Sequence, residues 1–489
     1  MKKPLLGLAV CLAALAAAAE PPDYAVKNEQ EVVKPFIEKL KERVPPLKHA
    51  RGKRWPMIAW ECLPFEPQPP EVYTLLLDRG LTQHIRLDEK MIPTAQALQA
   101  AGAPVIMMEG GGGPWPGSLA GAPEKWQHQF EEGYVFKPGP YPDHAIRPCL
   151  GLWEGWAVNA ARVEGILRKY KEAGVTVNAA WLDWEGDPYF VRAQYAQASH
   201  CARCKAMLPP WVLASPENCA TFAWRLYIRL LDTYMAAPVA NVFPQCSTTN
   251  WMVVFSTPER PVMHWNGRVI PPSMPAMMTA TNPVAYGNTV FWKKEWKAEW
   301  PLDREHVDQA YMHLLLRQVS DDAANKAVFA PEKDCFPWVD RWCPDDEDPK
   351  IPIISRDAYR EALRHIWLRG ADGMQIFNPT RPGFDHIVFA EIEDAVAVYD
   401  EMLAYAEFLD QGEGMSLAVP AVQDDGVLWS GLRLADRAVV RVVKQGGEAG
   451  AAEIEPWPGK RVRLDAPRTG RTYVLTVRGD AVHADAQPE

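Results

Sequence analysis

Val175-Thr176-Val177-Asn178-Ala179-Ala180-Trp181-Leu182-Asp183-Trp184-Glu185-Gly186 is the stretch from which the fold can be read. A helix pattern over 156–173 stops at Gly174, and an apolar, β-rich run follows and ends in acids. Side chains alternate along a strand, so Trp181, Asp183 and Glu185 share one face while Leu182 and Trp184 take the other. Two carboxylates that close cannot both ionise easily, so one pKa rises, as a general acid requires. A strand that ends in such a pair before a loop points to a fold whose reacting groups sit at carboxyl ends of strands.

The same unit, a short apolar run followed by a helix pattern, recurs on both sides. The expected strands are 56–61, 83–88, 104–109, 175–185, 239–246, 274–281, 326–330 and 373–378. The expected helices are 71–79, 94–101, 156–173, 217–235, 303–320, 356–369 and 389–409, with a further one at 29–43 ahead of the first strand. Eight such units predict an α/β fold, a (β/α)8 TIM-type barrel over 55–411 after a lead-in at 20–54. Gly110 to Gly113 follow a strand without a dinucleotide fingerprint or a P-loop lysine. The Gly/Pro-rich segment 114–150 reads as a long binding loop. From 412 to 482 short β-like runs replace helices, which predicts a small C-terminal all-β domain, with a polar tail at 483–489.

The expected strand ends give the candidate site. They are Glu61, Asp88, Glu109, the Asp183/Glu185 pair with Trp181, Gln245, Tyr286, Glu332 with Asp334, and Asn378. Acids at the mouth of a barrel need a reason, because burying charge is costly. Glu185, nearer the strand end and with the longer reach, is the expected acid/base. Asp183 is its assistant or a nucleophile, and in the latter case Glu332 is a candidate proton donor.

Ala180-Trp181-Leu182-Asp183-Trp184-Glu185 resembles the end of the fourth strand in hyaluronidases and in chitinase-type family 18 glycosidases, which carry D-x-E there. Ile366-Trp367-Leu368-Arg369-Gly370-Ala371-Asp372-Gly373-Met374-Gln375-Ile376 resembles the passage from their last helix into the eighth strand. The resemblance implies a glycoside hydrolase with Glu185 as acid/base and Asp183 positioning a substrate N-acetyl group. It also implies an assisting tyrosine, for which Tyr286 is the nearest match. The chitinase pattern has further upstream aspartates, which are absent here.

Lys2 and Lys3, the apolar run 5–16 and Ala17-Ala18-Ala19 form an export signal, which predicts a secreted or periplasmic protein. A net charge of −10 argues against nucleic acid and anionic membrane surfaces as partners. Twenty tryptophans suit both core packing and stacking on sugar rings. The expected partner is therefore a carbohydrate substrate. A non-catalytic carbohydrate-binding barrel is the alternative. No cofactor or catalytic metal is expected: the histidines lack HExxH spacing, and no G-x-S-x-G elbow is present. Beyond Cys11 in the leader, eight of the nine cysteines remain, enough for up to four disulfides. Cys335 and Cys343 are candidates for one. Cys201 and Cys204 are spaced for a disulfide or for half a zinc site, and the lack of a second CxxC weighs toward the disulfide.

Overall fold

The computed structural model describes residues 29–60, 62–110, 124–136, 149–183, 195–263, 269–273, 275–286, 304–341, 354–377, 385–419 and 426–488. The expected export signal lies outside them.

The first part alternates short parallel strands with helices. The strands are β1 (Met57–Ala59), β2 (Leu81–Thr82), β3 (Ile85–Arg86), β4 (Ile106–Gly110), β5 (Ala179–Asp183) and β6 (Ser247–Asn250). They continue with β7 (Ala280–Thr281), β8 (Val284–Tyr286), β9 (Asp334–Cys335), β10 (Trp338–Asp340) and β11 (Gln375–Ile376). They form three parallel ladders, ordered β2-β1-β11-β10-β8, β3-β4-β5-β6 and β7-β9. A backbone bond from Thr279 N to the Thr248 carbonyl, 3.0 Å, ties the run into β7 to β6. Two of the helices between strands begin at a serine cap. Ser215 accepts from Asn218 N ahead of Pro216–Leu231, and Ser355 accepts from Ala358 N ahead of Arg356–Trp367. Each such cap is worth about 1 kcal/mol.

Three expected strands are displaced. Val239 to Val242 belong to the helix Ala237–Val242, reached from Pro216–Leu231 through a π-helical turn at Asp232–Ala236. The fifth strand is the polar but fully buried Ser247–Asn250. A short apolar run does not distinguish helix from strand, and here the helix wins. Lys326 to Phe329 end the 26-residue helix Arg304–Phe329, and the seventh strand comes later, at β9 and β10. The sixth is split into β7 and β8 by Pro283, which has no N–H to donate.

The C-terminal part is antiparallel. After the helices Asp385–Leu403 and Ala406–Gln411 come β12 (Glu413–Gly414), β13 (Val427–Arg433), β14 (Arg437–Lys444), β15 (Gly450–Trp457), β16 (Lys460–Ala466), β17 (Arg471–Arg478) and β18 (Ala481–Ala486). The sheet order is β12-β13-β14-β17-β18, with β15-β16 as a separate hairpin. β18 pairs with β17, so most of the segment expected to be a polar tail is strand. Leu428, Leu432, Val439 and Val443 share a buried core with Leu363 and Trp367 of the helical layer, so the β domain is seated on the helices.

None of the described cysteines is in a disulfide, which corrects the disulfide expectation for Cys335 and for the Cys201/Cys204 pair. Cys343 lies outside the described residues. Among the described residues no helix is long and apolar enough to cross a membrane.

Candidate active site at the strand ends

Register decides which residues share a face. Trp181 stands opposite Met108 and Thr249, and Trp338 stands opposite Val284 and Gln375. Trp181 meets Phe336 at 4.6 Å between ring centroids, and Trp55 lies 6.1 Å from Trp181 and 5.8 Å from Phe336. Phe336 lies just before β10, so this aromatic trio joins two of the ladders through the interior. A second group gathers toward the strand ends. Trp60, directly after β1, lies 5.1 Å from Trp338, 5.9 Å from Phe377 and 4.5 Å from the His84 ring. Burial pushes His84 down to about 3, with Arg86 adding to the effect, so its imidazole is neutral. Arg86 stacks its guanidinium on Phe65, 4.8 Å from the ring centre.

This interior is aromatic without being apolar. Trp181 Nε1, Thr249 Oγ1, His84 Nδ1, Asn282 Oδ1 and Gln375 Oε1 are buried and have no hydrogen-bond partner among the described residues. Buried polar atoms are nearly always satisfied, so each of these exceptions calls for a reason.

β5 and β10 end alike. Trp181-Leu182-Asp183 and Trp338-Val339-Asp340 each close a parallel strand. Asp183 is paired with Gly110, and Asp340 with Tyr286. Asp340 is buried, and alternation puts it on the face of Trp338. The chain leaving β10 is held by Glu391, whose Oε1 accepts from Arg341 N at 2.9 Å and from the Tyr359 hydroxyl at 2.8 Å. Burial pushes the Glu391 carboxyl up to about 8 despite these donors.

The sequence-derived candidates divide. Glu61, Glu185 and Asn378 lie outside the described residues. Asp183, Glu109 and Tyr286 fall on β5, β4 and β8 as backbone positions, with Glu109 paired to Leu182. Trp181 is buried. Asp88 caps the short turn Glu89–Met91, accepting from Lys90 N. Gln245 is exposed on the turn before β6, at the amino end of its strand, because the apolar run before it is helix. Glu332 is exposed on the turn before β9, for the same reason. Asp334 starts β9, where burial and the Asp372 charge raise it to about 6, against Lys326 and Arg54. Gln245 and Glu332 therefore precede their strands, and Asp334 opens its own, rather than following at the carboxyl end. Asp340 was missed. Its signal was the Trp-Val-Asp repeat of the Trp-Leu-Asp pattern, hidden by placing the seventh strand too early.

No protein-family model matches the chain, and no curated protein matches it. Among solved structures it is similar to a GH36 α-galactosidase from Geobacillus stearothermophilus in complex with raffinose, at 10% identity and TM-score 0.42, covering 94% of this chain and 57% of that one. It is similar to a β-galactosidase from the Antarctic haloarchaeon Halorubrum lacusprofundi, at 13% identity and TM-score 0.43, covering 73% and 59%. It is also similar to a GH30 endoxylanase from Clostridium papyrosolvens, at 12% identity and TM-score 0.35, covering 91% and 95%. The chain thus spans under two thirds of the length of the two galactosidases.

Proposed function

We propose that the chain is an exported glycoside hydrolase whose site lies at the carboxyl ends of its parallel strands. The observation that carries this reading is the matched ending of β5 and β10, a buried tryptophan two residues before a terminal aspartate. In the proposed architecture the three ladders are one (β/α)8 wall, its units being β1, β2/β3, β4, β5, β6, β7/β8, β9/β10 and β11. β5 and β10 are then the fourth and seventh units, three apart around the wall. Carboxylates from two separate strands of the wall, above an aromatic floor, suit a sugar: the rings take its apolar faces and the acids flank the bond to be cut.

In this mechanism Glu185 donates its proton to the glycosidic oxygen as the bond from that oxygen to the anomeric carbon breaks. Asp183, Asp340 or a substrate N-acetyl oxygen takes up the positive charge developing on that carbon. The Glu185 carboxylate then removes a proton from water, whose oxygen adds to the anomeric carbon and restores the acid. Asp340 replaces Glu332 as the acid facing the Asp183/Glu185 pair. Export rests on the basic, apolar and small-residue order of 1–19.

The test is hydrolysis of a broad panel of oligo- and polysaccharides by the wild type and by Glu185→Gln. Cleavage by the wild type that is lost in the variant supports the reading. Cleavage that survives Glu185→Gln removes Glu185 from its role. Glycan binding without any cleavage favours the non-catalytic carbohydrate-binding alternative.

A further inference from the structure

Four side chains from two separate loops converge below the surface beside β4 and β5. His128 and Cys149 come from the segment between β4 and the helix Glu154–Glu172, and Cys201 and Cys204 from the segment after β5. All four are buried, and their ligand atoms lie within 4.8 Å of one another. Cys149 Sγ is 3.8 Å from Cys201 Sγ and 3.5 Å from Cys204 Sγ, and Cys204 Sγ is 3.5 Å from His128 Nδ1.

These separations have a simple geometric meaning. A disulfide holds its sulfurs about 2.05 Å apart, far closer than any pair here. A tetrahedral ion with metal–sulfur bonds of about 2.3 Å and metal–nitrogen bonds of about 2.0 Å sets sulfur–sulfur edges near 3.8 Å and sulfur–nitrogen edges near 3.5 Å. Three thiols cannot all pair with one another, so disulfide chemistry leaves one sulfur over, whereas a four-ligand site uses the whole set. An iron–sulfur cluster spreads its ligands over two or more irons, so it would hold some of the four much further apart than they are here.

The surroundings are built for a thiolate. Cys201 Sγ accepts from Gln129 N at 3.3 Å and from Cys204 N at 3.5 Å. Phe130 and Cys201 form an antiparallel bridge, fixed by bonds from Ala202 N to the Gln129 carbonyl at 2.8 Å and from Glu131 N to the His200 carbonyl at 3.0 Å. Cys149 N donates to the Trp126 carbonyl at 2.8 Å, which holds the third cysteine against the same ribbon. The Cys201 sulfur is thus placed by backbone N–H groups and Cys149 by its own backbone bond, independently of any cross-link.

We infer that His128, Cys149, Cys201 and Cys204 form a structural Cys3His site for one tetrahedral, thiophilic divalent cation of the zinc class. All four first-sphere positions come from the protein, so the site is closed and does no chemistry. Its effect is mechanical. It clamps together the two loops that leave the carboxyl ends of β4 and β5, and so fixes the wall on which Asp183 stands. The inference stands on the cluster alone, whatever reaction the strand ends perform. It also explains why a single CxxC suffices here: the other half of the site is supplied by His128 and Cys149, about 50 to 75 positions upstream, through tertiary contact.

The experiment uses the full mature chain, purified without a metal-binding tag. Metal analysis is expected to find one zinc equivalent per chain, released by a mercurial thiol reagent in step with three thiols. Exchange into cobalt(II) is expected to give the intense visible spectrum of tetrahedral thiolate coordination. His128→Cys keeps four ligands and should retain the ion with a shifted cobalt spectrum. Cys204→Ser should weaken zinc binding by roughly 100-fold or more, whereas Cys219→Ser, which alters a buried thiol outside the cluster, should retain one equivalent. A wild-type chain with no zinc, no cobalt spectrum and freely titrating thiols overturns the site. So does a disulfide between any two of Cys149, Cys201 and Cys204 found by mass spectrometry of the native protein.

Discussion

Arg441 and Glu361 meet fork to fork. The guanidinium Nε donates to Glu361 Oε1 at 2.8 Å and Nη2 donates to Oε2 at 2.7 Å, with both side chains buried. Arg441 is on β14 and Glu361 on the helix Arg356–Trp367, so the pair fastens the C-terminal sheet to the helical layer. Arg441 also reaches the Thr469 carbonyl, and Arg369 donates from the same layer to Ser430 Oγ at 2.9 Å. A buried pair is costly to desolvate, yet breaking only one side leaves an uncompensated charge. Glu361→Ala is therefore expected to lose about 3–5 kcal/mol in urea unfolding. Glu361→Met with Arg441→Met should recover much of that loss, because neither member of the pair is left buried without its partner.

His365 lies in the same network, with Nδ1 2.8 Å from Ser430 Oγ. Burial first, then Arg369 and Arg441, lower it to about 4, against the pull of Glu361. In the unfolded chain it titrates near 6.5. As pH falls the unfolded state takes up this proton first. The contribution of neutral His365 is thus complete above about pH 6.5 and is lost as pH falls toward 4. His84, held near 3, steepens the same acid limb. Melting temperature measured from pH 7.5 to 4 should fall, and His365→Gln should flatten part of that fall.

Glu391 has the opposite sign. Its carboxyl, raised to about 8, stays protonated at neutral pH while the unfolded group ionises near 4.3. Its contribution is complete below that value and is lost as pH rises toward 8. Glu391→Gln keeps an acceptor for Arg341 N and the Tyr359 hydroxyl. The variant is expected to be more stable than the wild type at pH 8.5 and to show less decline from pH 5.5. Lower stability for the variant at every pH would mean that Glu391 is charged in the fold.

Trp181 is 2% exposed and packs on Phe336 and Trp55. Trp181→Ala should cost about 3–5 kcal/mol in denaturant unfolding. Trp181→Phe keeps most of the ring area and should cost less. A Trp181→Ala protein as stable as the wild type would move this ring out of the core.

Glu185→Gln and Asp340→Asn should each lower turnover on a cleaved glycan by about 10²–10⁴-fold, the usual range for lost proton transfer or charge stabilisation. Unchanged unfolding curves for Glu185→Gln would separate chemistry from folding. An Asp340→Asn enzyme with wild-type turnover would return the second carboxylate to Asp183 alone.

The sequence by itself determined the alternation of strand and helix, the span of most helices and the change to antiparallel strands after residue 412. Those features are local. Hydrophobic period, cap residues such as Ser215 and Ser355, and turn glycines act within a few residues of one another. It also singled out Trp181-Leu182-Asp183, because a strand closing on an acid is visible one residue at a time. It misplaced the fifth and seventh strands, since Val239–Val242 and Lys326–Phe329 carry the same apolar signal in a helix as in a strand. That error displaced Gln245 and Glu332 and hid Asp340. Only the tertiary structure decided which strands are neighbours, and so that the two Trp-x-Asp endings close strands of two different parallel ladders. It alone brought His128 and Cys149 to Cys201 and Cys204. Chain separation carries no distance information, and these four side chains meet only once the loops after β4 and β5 have been packed side by side.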